Sequence, residues 1–326
     1  MDDNALKTLV LALERDMVLQ PGPERRYACF NTGPGIPDEW ASGLVCEQGF
    51  RPVYLDLQLR GFDVHPILPQ VPGKLAGAFV MAGRARAAGE QALARAWAML
   101  PAGAPILVCG ALTDGIRTLR KWASAHAGIE DSFSKHHAVC FLLRRGSTEP
   151  FDAPRPEALV SPTMFASSGE DAGSRLLASH FEGRLAGAVA DFGAGSGYLA
   201  GQARQQAGPT RIDLYEADYL SLERARSALA GAKVETRFFW HDLLREKVDG
   251  PYDRVVMNPP FHEGRATRPQ IGIGFIETAA RALKPGGRLL MVANRNLPYE
   301  AVLQARFRRI ARLTEEGGFK VIEAIR

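Results

Sequence analysis

The sequence predicts an α/β protein of two domains, the second built on a mostly parallel β-sheet with helices on both faces. Short apolar runs bounded by turn residues alternate with stretches of helical periodicity along most of the chain. A polar, proline-rich segment at residues 146–156 separates two halves that both show this alternation. The 326 residues suffice for two domains that each bury a core without disulfide or metal support.

The first half, residues 1–150, is predicted to begin with an amphipathic helix and to continue as strands and helices. Leu6, Leu9, Val10 and Leu13 recur at helical spacing, which predicts the first helix. Apolar runs and helical periodicity then predict strands at 79–81, 105–110 and 138–143 and helices at 90–100 and 114–125.

The second half, residues 157–326, alternates more clearly. The predicted strands are 188–192, 211–215, 234–239, 254–257, 288–292 and 319–325, and the predicted helices are 173–181, 198–206, 221–230 and 274–283, with a turn at 284–287. Parallel strands joined by helices place their carboxyl ends along one edge of the sheet. We therefore expect the loops that follow these strands to line a common crevice.

Composition limits the compartment and the partners. No stretch approaches the roughly 18–20 apolar residues of a membrane helix, and the chain starts with acidic residues where a secretory signal is basic, so we expect a cytoplasmic protein. The four cysteines form no CxxC pair and have no histidine at ligand spacing, which predicts reduced, buried thiols and no metal site. The net charge of +4 permits a polyanionic partner without requiring one.

A glycine-rich loop, Asp191-Phe192-Gly193-Ala194-Gly195-Ser196-Gly197, joins a predicted strand to a predicted helix. Glycines at alternate positions let the backbone approach a ligand closely and adopt positive φ. A dinucleotide-binding fingerprint has the spacing GxGxxG, whereas the third glycine comes one residue early here. The spacing favours S-adenosylmethionine over NAD, with Asp191, Phe192, Gly193, Gly195 and Gly197 as its candidate ligands.

Two acids follow the next two predicted strands. Glu216 comes roughly 20 residues after the glycine loop, where an acid at a strand end can accept both ribose hydroxyls of a nucleoside. Asp242 follows the third strand and offers a carboxylate to an adenine amino group. Either acid alone is more often a solvated loop residue, but three strand-end features in sequence order favour one cofactor site.

The candidate chemical loop is Asn258-Pro259-Pro260-Phe261, directly after the strand predicted at 254–257. A planar exocyclic or amide nitrogen is a poor nucleophile because its lone pair is delocalised. The Asn258 side-chain oxygen and the Pro259 carbonyl are two acceptors that can aim that lone pair at a methyl donor. The prolines fix φ and so hold the acceptors in place, and Phe261 offers a stacking face worth roughly 1–3 kcal/mol.

These motifs resemble class I methyltransferases of the RsmC type, which methylate the exocyclic amino group of a guanine in small-subunit (16S) ribosomal RNA. The resemblance rests on the segments already quoted and on 171–177, Lys284-Pro285-Gly286-Gly287, Val292-Ala293-Asn294, Leu297-Pro298-Tyr299 and Phe319-Lys320-Val321. It implies a seven-stranded Rossmann-like catalytic domain at 157–326, with Asp171 and Ser174 among the cofactor-binding residues. The Asn-Pro-Pro-Phe tetrad is shared with other amino methyltransferases, so it predicts the chemistry and not the substrate.

The resemblance also implies a degenerate methyltransferase-like domain at 1–150 that serves RNA recognition or scaffolding. Residues 110–115 lack the close-set glycines of the second half, which fits a lost cofactor loop. Residues 106–110 and the following turn and helix loosely echo 188–197, so an ancient duplication is a hypothesis that dissimilar strand orders would exclude. Arg84-Ala85-Arg86 stands where the family often has Lys-x-Lys, and Asp242 where some members have Asn.

Basic residues near these loops are candidate RNA contacts. Arg265 and Arg268 follow the tetrad, Arg295 follows a later strand, and Arg84 and Arg86 lie in the first half. Further arginines that could contribute are Arg95, Arg306, Arg308, Arg309 and Arg312. The alternative for each is an ordinary solvated helix surface.

The sequence therefore predicts methyl transfer from S-adenosylmethionine to a guanine amino group in ribosomal RNA, by a monomer that acts on the RNA or the small ribosomal subunit. One alternative is an amino methyltransferase for another base or for a protein glutamine. Another is a ribosome-assembly factor that binds the cofactor without turnover.

Overall fold

Two β-sheets with the same strand order form the framework of the chain. The computed structural model describes residues 3–69, 75–152, 154–162, 171–231, 233–260, 262–263, 266–267 and 269–326. The chain divides into two units, Met1–Ala166 and Ser167–Arg326. The segment after the predicted boundary is held by the first unit, because Gln91 bonds the carbonyl of Ala158 at 2.9 Å and the N–H of Val160 at 2.8 Å.

In the first unit, the described residues form a sheet of order β3-β2-β1-β4-β5-β7-β6, in which β7 runs antiparallel to both neighbours. Its strands are β1 Tyr27–Phe30, β2 Leu44–Glu47, β3 Asp63–His65, β4 Gly77–Ala82, β5 Pro105–Ala111, β6 Ile129–Lys135 and β7 Ala138–Arg144. Its helices are α1 Asp3–Glu14, α2 Arg51–Leu59, α3 Arg86–Met99 and α4 Ile116–His126. The predicted amphipathic first helix is confirmed as α1.

Alternating side chains of this sheet enter two separate cores. Along β4, Phe79 and Met81 pack in the core that contains α1 and α2, whereas Ala78 and Val80 pack with α3 and α4. This follows from the two-residue period of a strand, and a sheet buried on both faces needs apolar side chains at every position. The first sheet therefore has helices on both faces.

The prediction that all cysteines are reduced was wrong for one pair. Cys109 and Cys140 lie opposite each other on β5 and β7, with their Cα atoms 4.3 Å apart, and are joined by a disulfide. Cys29 and Cys46 are free and buried, as expected. The sequence separation of 31 residues concealed the pairing, because only the antiparallel register of β5 and β7 brings the two thiols together.

In the second unit, the described residues form a sheet of order β10-β9-β8-β11-β14-β16-β15, the same order as in the first unit. Its strands are β8 Gly187–Phe192, β9 Pro209–Glu216, β10 Glu235–Trp240, β11 Tyr252–Met257, β14 Leu283–Asn294, β15 Arg309–Glu316 and β16 Phe319–Ile325, and the short strands β12 His262–Glu263 and β13 Ala266–Thr267 pair separately. Its helices are α5 Ala172–Ala178, α6 Tyr198–Ala203, α7 Tyr219–Ala228, α8 Pro269–Ala282 and α9 Glu300–Arg306.

Helices cover both faces of the second sheet. Leu177 of α5, Ala200 of α6 and Leu222 of α7 pack in one core, and Ile276 of α8 and Leu303 of α9 pack in the other. The predicted two-domain α/β fold and the seven-stranded, mostly parallel second sheet are thereby confirmed for the part of the chain that is described. The matching strand orders agree with the duplication hypothesis, which dissimilar orders would have excluded.

One segment predicted as a turn is part of a strand. Residues 284–287, expected to be a turn, form an irregularity inside β14, where the pairing shifts from Tyr252–Leu283 to Arg254–Arg288. Gly286 adopts φ +76° there, which explains the turn-like sequence. Across the described residues, no helix has both the length and the apolar character that crossing a bilayer requires.

Candidate active site

The glycine loop and the double-proline loop leave the sheet side by side. Strands β8 and β11 are parallel neighbours, with Asp191 opposite Val256 and Phe192 opposite Met257. Both loops therefore begin at the carboxyl edge of the sheet, at adjacent positions. A Cβ atom placed on Gly193 would lie 3.9 Å from Cδ of Pro260, so the two loops are in near contact.

Hydrogen bonds to β9 fix the conformation of the glycine loop. Gly193, Gly195 and Gly197 adopt φ values of +73°, +54° and +87°, which residues with a Cβ rarely adopt. The N–H groups of Gly193 and Ala194 both donate to the Tyr215 carbonyl, at 2.9 and 3.1 Å. The positive φ values explain why this segment needs glycine at alternate positions.

Asp191 is fully buried at the end of β8, below the glycine loop. Its Oδ2 accepts a 3.0 Å hydrogen bond from the N–H of Ala200 in α6, and Oδ1 has no partner among the described residues. Burial raises the pKa of Asp191 to about 7, and the nearby Glu216 carboxylate adds to this rise. An acceptor atom buried without a partner points to a ligand or water that completes its hydrogen bonding.

Glu216 ends β9 beside the glycine loop and binds backbone with both oxygens. Oε2 accepts from the N–H of Gly195 at 2.7 Å, and Oε1 accepts from the N–H of Asp218 at 2.8 Å. Burial raises the pKa of Glu216, although these backbone N–H groups favour its ionised form. A carboxylate has about four acceptor positions, so Glu216 can still accept a hydroxyl group.

Asp242 follows β10 at the same edge, since Trp240 lies opposite Glu216 in the pairing of β10 with β9. The residue is 4 % exposed, and its Oδ1 accepts from the N–H of Leu244 at 2.9 Å. Oδ2 lies 3.6 Å from Nε of Arg245. The carboxylate therefore stabilises its own turn, and its predicted contact with an adenine amino group stays a prediction.

The Asn258 side chain is held by residues that begin α5. Its Nδ2 donates to Oδ2 of Asp171 at 2.5 Å and to Oγ of Ser174 at 2.9 Å. Asp171 is also the N-cap of α5, where the same Oδ2 accepts from the N–H of Ser174 at 2.8 Å. The cofactor-binding role predicted for Asp171 and Ser174 is untested, whereas their contact with the chemical loop was not foreseen.

The two prolines of the tetrad differ in exposure. Pro259 is buried, and Pro260 is exposed at the start of the loop. Phe261 lies outside the described residues, so its predicted stacking role stays a prediction. Arg265 and Arg268 lie outside the described residues as well.

The arginines predicted in the first half to bind RNA already have carboxylate partners. Arg84 lies 3.6 Å from Asp114, and Arg86 lies 2.6 Å from Glu90. In the second half, Arg295 lies 3.8 Å from Glu315. The further arginines with such partners are Arg95 with Glu47, Arg306 with Glu277, and Arg312 with Glu315.

Three basic residues that the sequence analysis did not single out lie together on α4. Arg117, Arg120 and Lys121 are exposed at helical spacing and line an open groove of about 790 Å³ with three serines and two acids, Ser124, Ser132, Ser134, Glu130 and Asp131. Unlike Arg84 and Arg86, they have no carboxylate within ion-pair distance among the described residues. Their signal in the sequence was the spacing i, i+3, i+4 within the predicted helix.

Lys320 connects two segments that are separate in the sequence, strand β16 and the residues around Leu297. It is 2 % exposed, and its Nζ donates to the Leu297 carbonyl at 2.8 Å and to Oε1 of Glu300 at 2.6 Å. A buried ammonium is stable only with such partners. It therefore ties β16 to the loop before α9, a structural role that the sequence analysis did not assign.

Comparisons with known proteins agree with this architecture. The sequence matches the family described as Methyltransferase small domain over residues 157–323. It is 30% identical over 238 residues to Ribosomal RNA small subunit methyltransferase C of Erwinia tasmaniensis, covering 70% of this chain and 69% of that protein. It is 31% identical over 236 residues to the protein of the same name from Shigella flexneri, covering 70% and 68%.

A solved structure shares the fold of nearly the whole chain. It is the T. thermophilus 16S rRNA N2 G1207 methyltransferase (RsmC) in complex with AdoMet and guanosine, which aligns with a TM-score of 0.75 at 23% identity. The alignment covers 95% of this chain and 90% of that one. At this identity the likeness supports the two-domain fold.

Proposed function

Because the chain belongs to the RsmC-type family of small-subunit ribosomal RNA methyltransferases, we propose that it methylates the exocyclic amino group of a guanine in 16S ribosomal RNA. The observation that carries the proposal is the adjacency of the glycine loop and the Asn-Pro-Pro loop at the ends of β8 and β11. Adjacent loops allow a methyl donor and a planar amino group to meet at one edge of the sheet. The related proteins are named for the same class of RNA.

The residues at this edge fit S-adenosylmethionine. When bound, this cofactor supplies an electrophilic methyl group on a positively charged sulfonium. Glu216 offers two carboxylate oxygens for ribose hydroxyls, and Asp191 keeps one buried oxygen without a partner among the described residues. A Cβ on Gly195 would meet no atom within 4 Å, so the loop is open on that side. Phe192, Gly193, Gly197 and Asp242 complete the proposed binding residues.

The Asn-Pro-Pro segment is proposed to orient the substrate nitrogen. Oδ1 of Asn258 and the carbonyl of Pro259 accept its two N–H groups, which turns the lone pair out of conjugation with the base. The two prolines restrict the backbone, so the carbonyl is positioned before the substrate arrives. These residues contain no strong base, and the reaction needs none. The methylated nitrogen is acidic enough to release its proton to water.

The first domain is proposed to recognise RNA. Its sheet has the same strand order as the catalytic sheet, while residues 110–115 lack the alternate glycines of the second half. Arg117, Arg120 and Lys121 of α4 are exposed and lie beyond ion-pair distance of the acids that share their groove, so they can bind phosphates. We further propose that the protein is a monomer that acts in the cytoplasm, where small subunits are assembled.

The direct test is incubation of the protein with labelled cofactor and small ribosomal subunits from cells that lack the modification. We expect label in 16S RNA and N2-methylguanosine in the nucleosides by mass spectrometry. Label in adenosine or in a protein glutamine would identify one of the alternative amino methyltransferases and contradict the proposal.

A second measurement separates an enzyme from a cofactor-binding assembly factor. Asn258→Ala removes one proposed acceptor and should lower kcat by about 100-fold. The dissociation constant of the cofactor should stay near its wild-type value, as measured by calorimetry. Equal turnover by the variant would contradict the role of Asn258.

A further inference from the structure

The two ends of the Asn258 side-chain amide are chemically opposite, so its orientation matters. The oxygen accepts hydrogen bonds, whereas the nitrogen donates two. An amino group on a planar base needs an acceptor to hold its N–H groups. If the amide were flipped, Asn258 would present donors to a donor, and the proposed orientation of the substrate nitrogen would fail.

Asp171 leaves one orientation available to this amide. A carboxylate only accepts hydrogen bonds, and Oδ2 of Asp171 lies 2.5 Å from the Asn258 amide nitrogen. The amide oxygen in that place would face a carboxylate oxygen with no proton between them. Ser174 Oγ, at 2.9 Å, accepts from the same nitrogen. The nitrogen therefore faces Asp171, and Oδ1 points away from it.

The orienting atom is itself fixed to a helix. Oδ2 of Asp171 caps α5 by accepting from the N–H of Ser174, and α5 packs through Leu177 in the core shared with Val256 of β11. A site residue supported by a capped helix is held more accurately than one on a free loop. The N-terminus of α5 therefore helps to fix the position of Oδ1 of Asn258.

We propose that Asp171, assisted by Ser174, is a positioning residue that sets the acceptor end of Asn258 toward the substrate amino group. This rests on the proposed function and goes beyond a capping or cofactor-binding role for Asp171. It also explains why position 258 carries Asn: an aspartate there would bring two carboxylates within 2.5 Å, and two such charges repel.

Exchange of the two residues tests the proposal. Asn258→Asp should lower kcat about 100-fold, because repulsion from Asp171 displaces the new carboxylate. Adding Asp171→Asn should recover roughly tenfold or more of the lost kcat, because an amide nitrogen in the place of Oδ2 can donate to the new carboxylate. The cap of α5, which the same Oδ2 now accepts, must then shift to the amide oxygen of residue 171. Recovery in kcat with little change in the KM of the cofactor is the expected signature.

A matched control separates positioning from capping. Asp218 caps α7 by the same bond, from the N–H of Ser221 at 2.8 Å. Asp218→Asn should give no recovery of kcat when it is combined with Asn258→Asp. Equal kcat for Asn258→Asp with and without Asp171→Asn would overturn the proposal, as would a change confined to cofactor affinity.

A spectroscopic measurement keeps this test separate from the proposed function. In protein labelled with ¹⁵N-asparagine, the Asn258 side-chain amide proton bonded to a carboxylate should resonate downfield and exchange slowly. Asp171→Ala should remove both features, and an unchanged resonance would overturn the proposal even if wild-type protein methylates RNA. If the wild type methylates no RNA but this resonance responds to Asp171, the proposed function fails and the positioning contact stands.

Discussion

The N–H of Gly195, in the loop after β8, donates a 2.7 Å hydrogen bond to Oε2 of Glu216 at the end of β9. This bond joins the middle of the glycine loop to the acid proposed to accept the ribose hydroxyls. The loop and the acid are therefore one structural element, although 21 positions separate them in the chain. Removal of the acid should disturb both.

Replacement of Glu216 should weaken cofactor binding. Glu216→Ala removes a charged acceptor and releases Gly195, and hydrogen bonds to charged groups contribute about 1.5–3 kcal/mol. We expect the dissociation constant of S-adenosylmethionine to rise by roughly 10- to 100-fold, measured by calorimetry. Glu223→Gln, at a half-buried position of α7 where the acid pairs with Arg226, is the control and should bind normally. Unchanged affinity in Glu216→Ala would contradict the assignment.

Ionisation of the Asp191 carboxyl group should lower the free energy of unfolding as the pH rises. Its pKa is raised to about 7 in the folded protein, so between about pH 4 and pH 7 the folded state holds a proton that the unfolded chain has released. The contribution of this group to the free energy of unfolding therefore decreases across that window, by at most about 1.4 kcal/mol per pH unit. Asp191→Asn does not titrate, so its stability relative to wild type should rise from pH 5 to pH 7 in urea unfolding. Parallel pH profiles would show that Asp191 ionises normally.

Gly193→Ala should impair both stability and cofactor binding. Its φ of +73° is strained for alanine, and the new Cβ would lie 3.2 Å from Phe275. Gly286→Ala is the matched control, since Gly286 has φ +76° but a Cβ there meets no atom within 4 Å. We expect both variants to lose about 1–3 kcal/mol of stability in denaturant unfolding. Only Gly193→Ala should also weaken cofactor binding, and equal binding by the two variants would argue against the loop assignment.

RNA binding should depend strongly on salt and on α4. Affinity should fall steeply between 50 and 200 mM salt, because each neutralised phosphate releases counterions. Changing Arg117, Arg120 and Lys121 to Gln together should reduce the slope of log affinity against log salt by about 2–3. Arg86→Gln, whose arginine already pairs with Glu90, should change the slope much less. A flat salt response in wild-type protein would contradict an RNA substrate.

Strands next to recognisable motifs could be predicted from the sequence, whereas very short strands and polar edge strands could not. The strands that carry the glycine and proline loops are buried runs next to recognisable motifs, and both occur close to their predicted positions. The elements of the two main sheets and their helices that were missed are β1, β2, β3, β6, β15, α2 and α9. Strands β6 and β15 lie at the edges of their sheets with mostly exposed side chains, so neither has the apolar alternation by which a strand is recognised. Strands β1, β2 and β3 have only three or four residues each, too few for a periodic pattern to stand out.

The sequence by itself determined the fold class, the order of the motifs and the chemistry they favour, because apolar periodicity, glycine spacing and the proline pair are local properties. The tertiary structure decided which residues that are far apart in the sequence come into contact. Asp171 reaches Asn258 across 87 positions, Cys109 meets Cys140 through strand register, and Arg84 and Arg86 pair with acids. A hydrogen bond or an ion pair requires two side chains within a few ångströms, and only the packing of helices on the sheet brings such residues together.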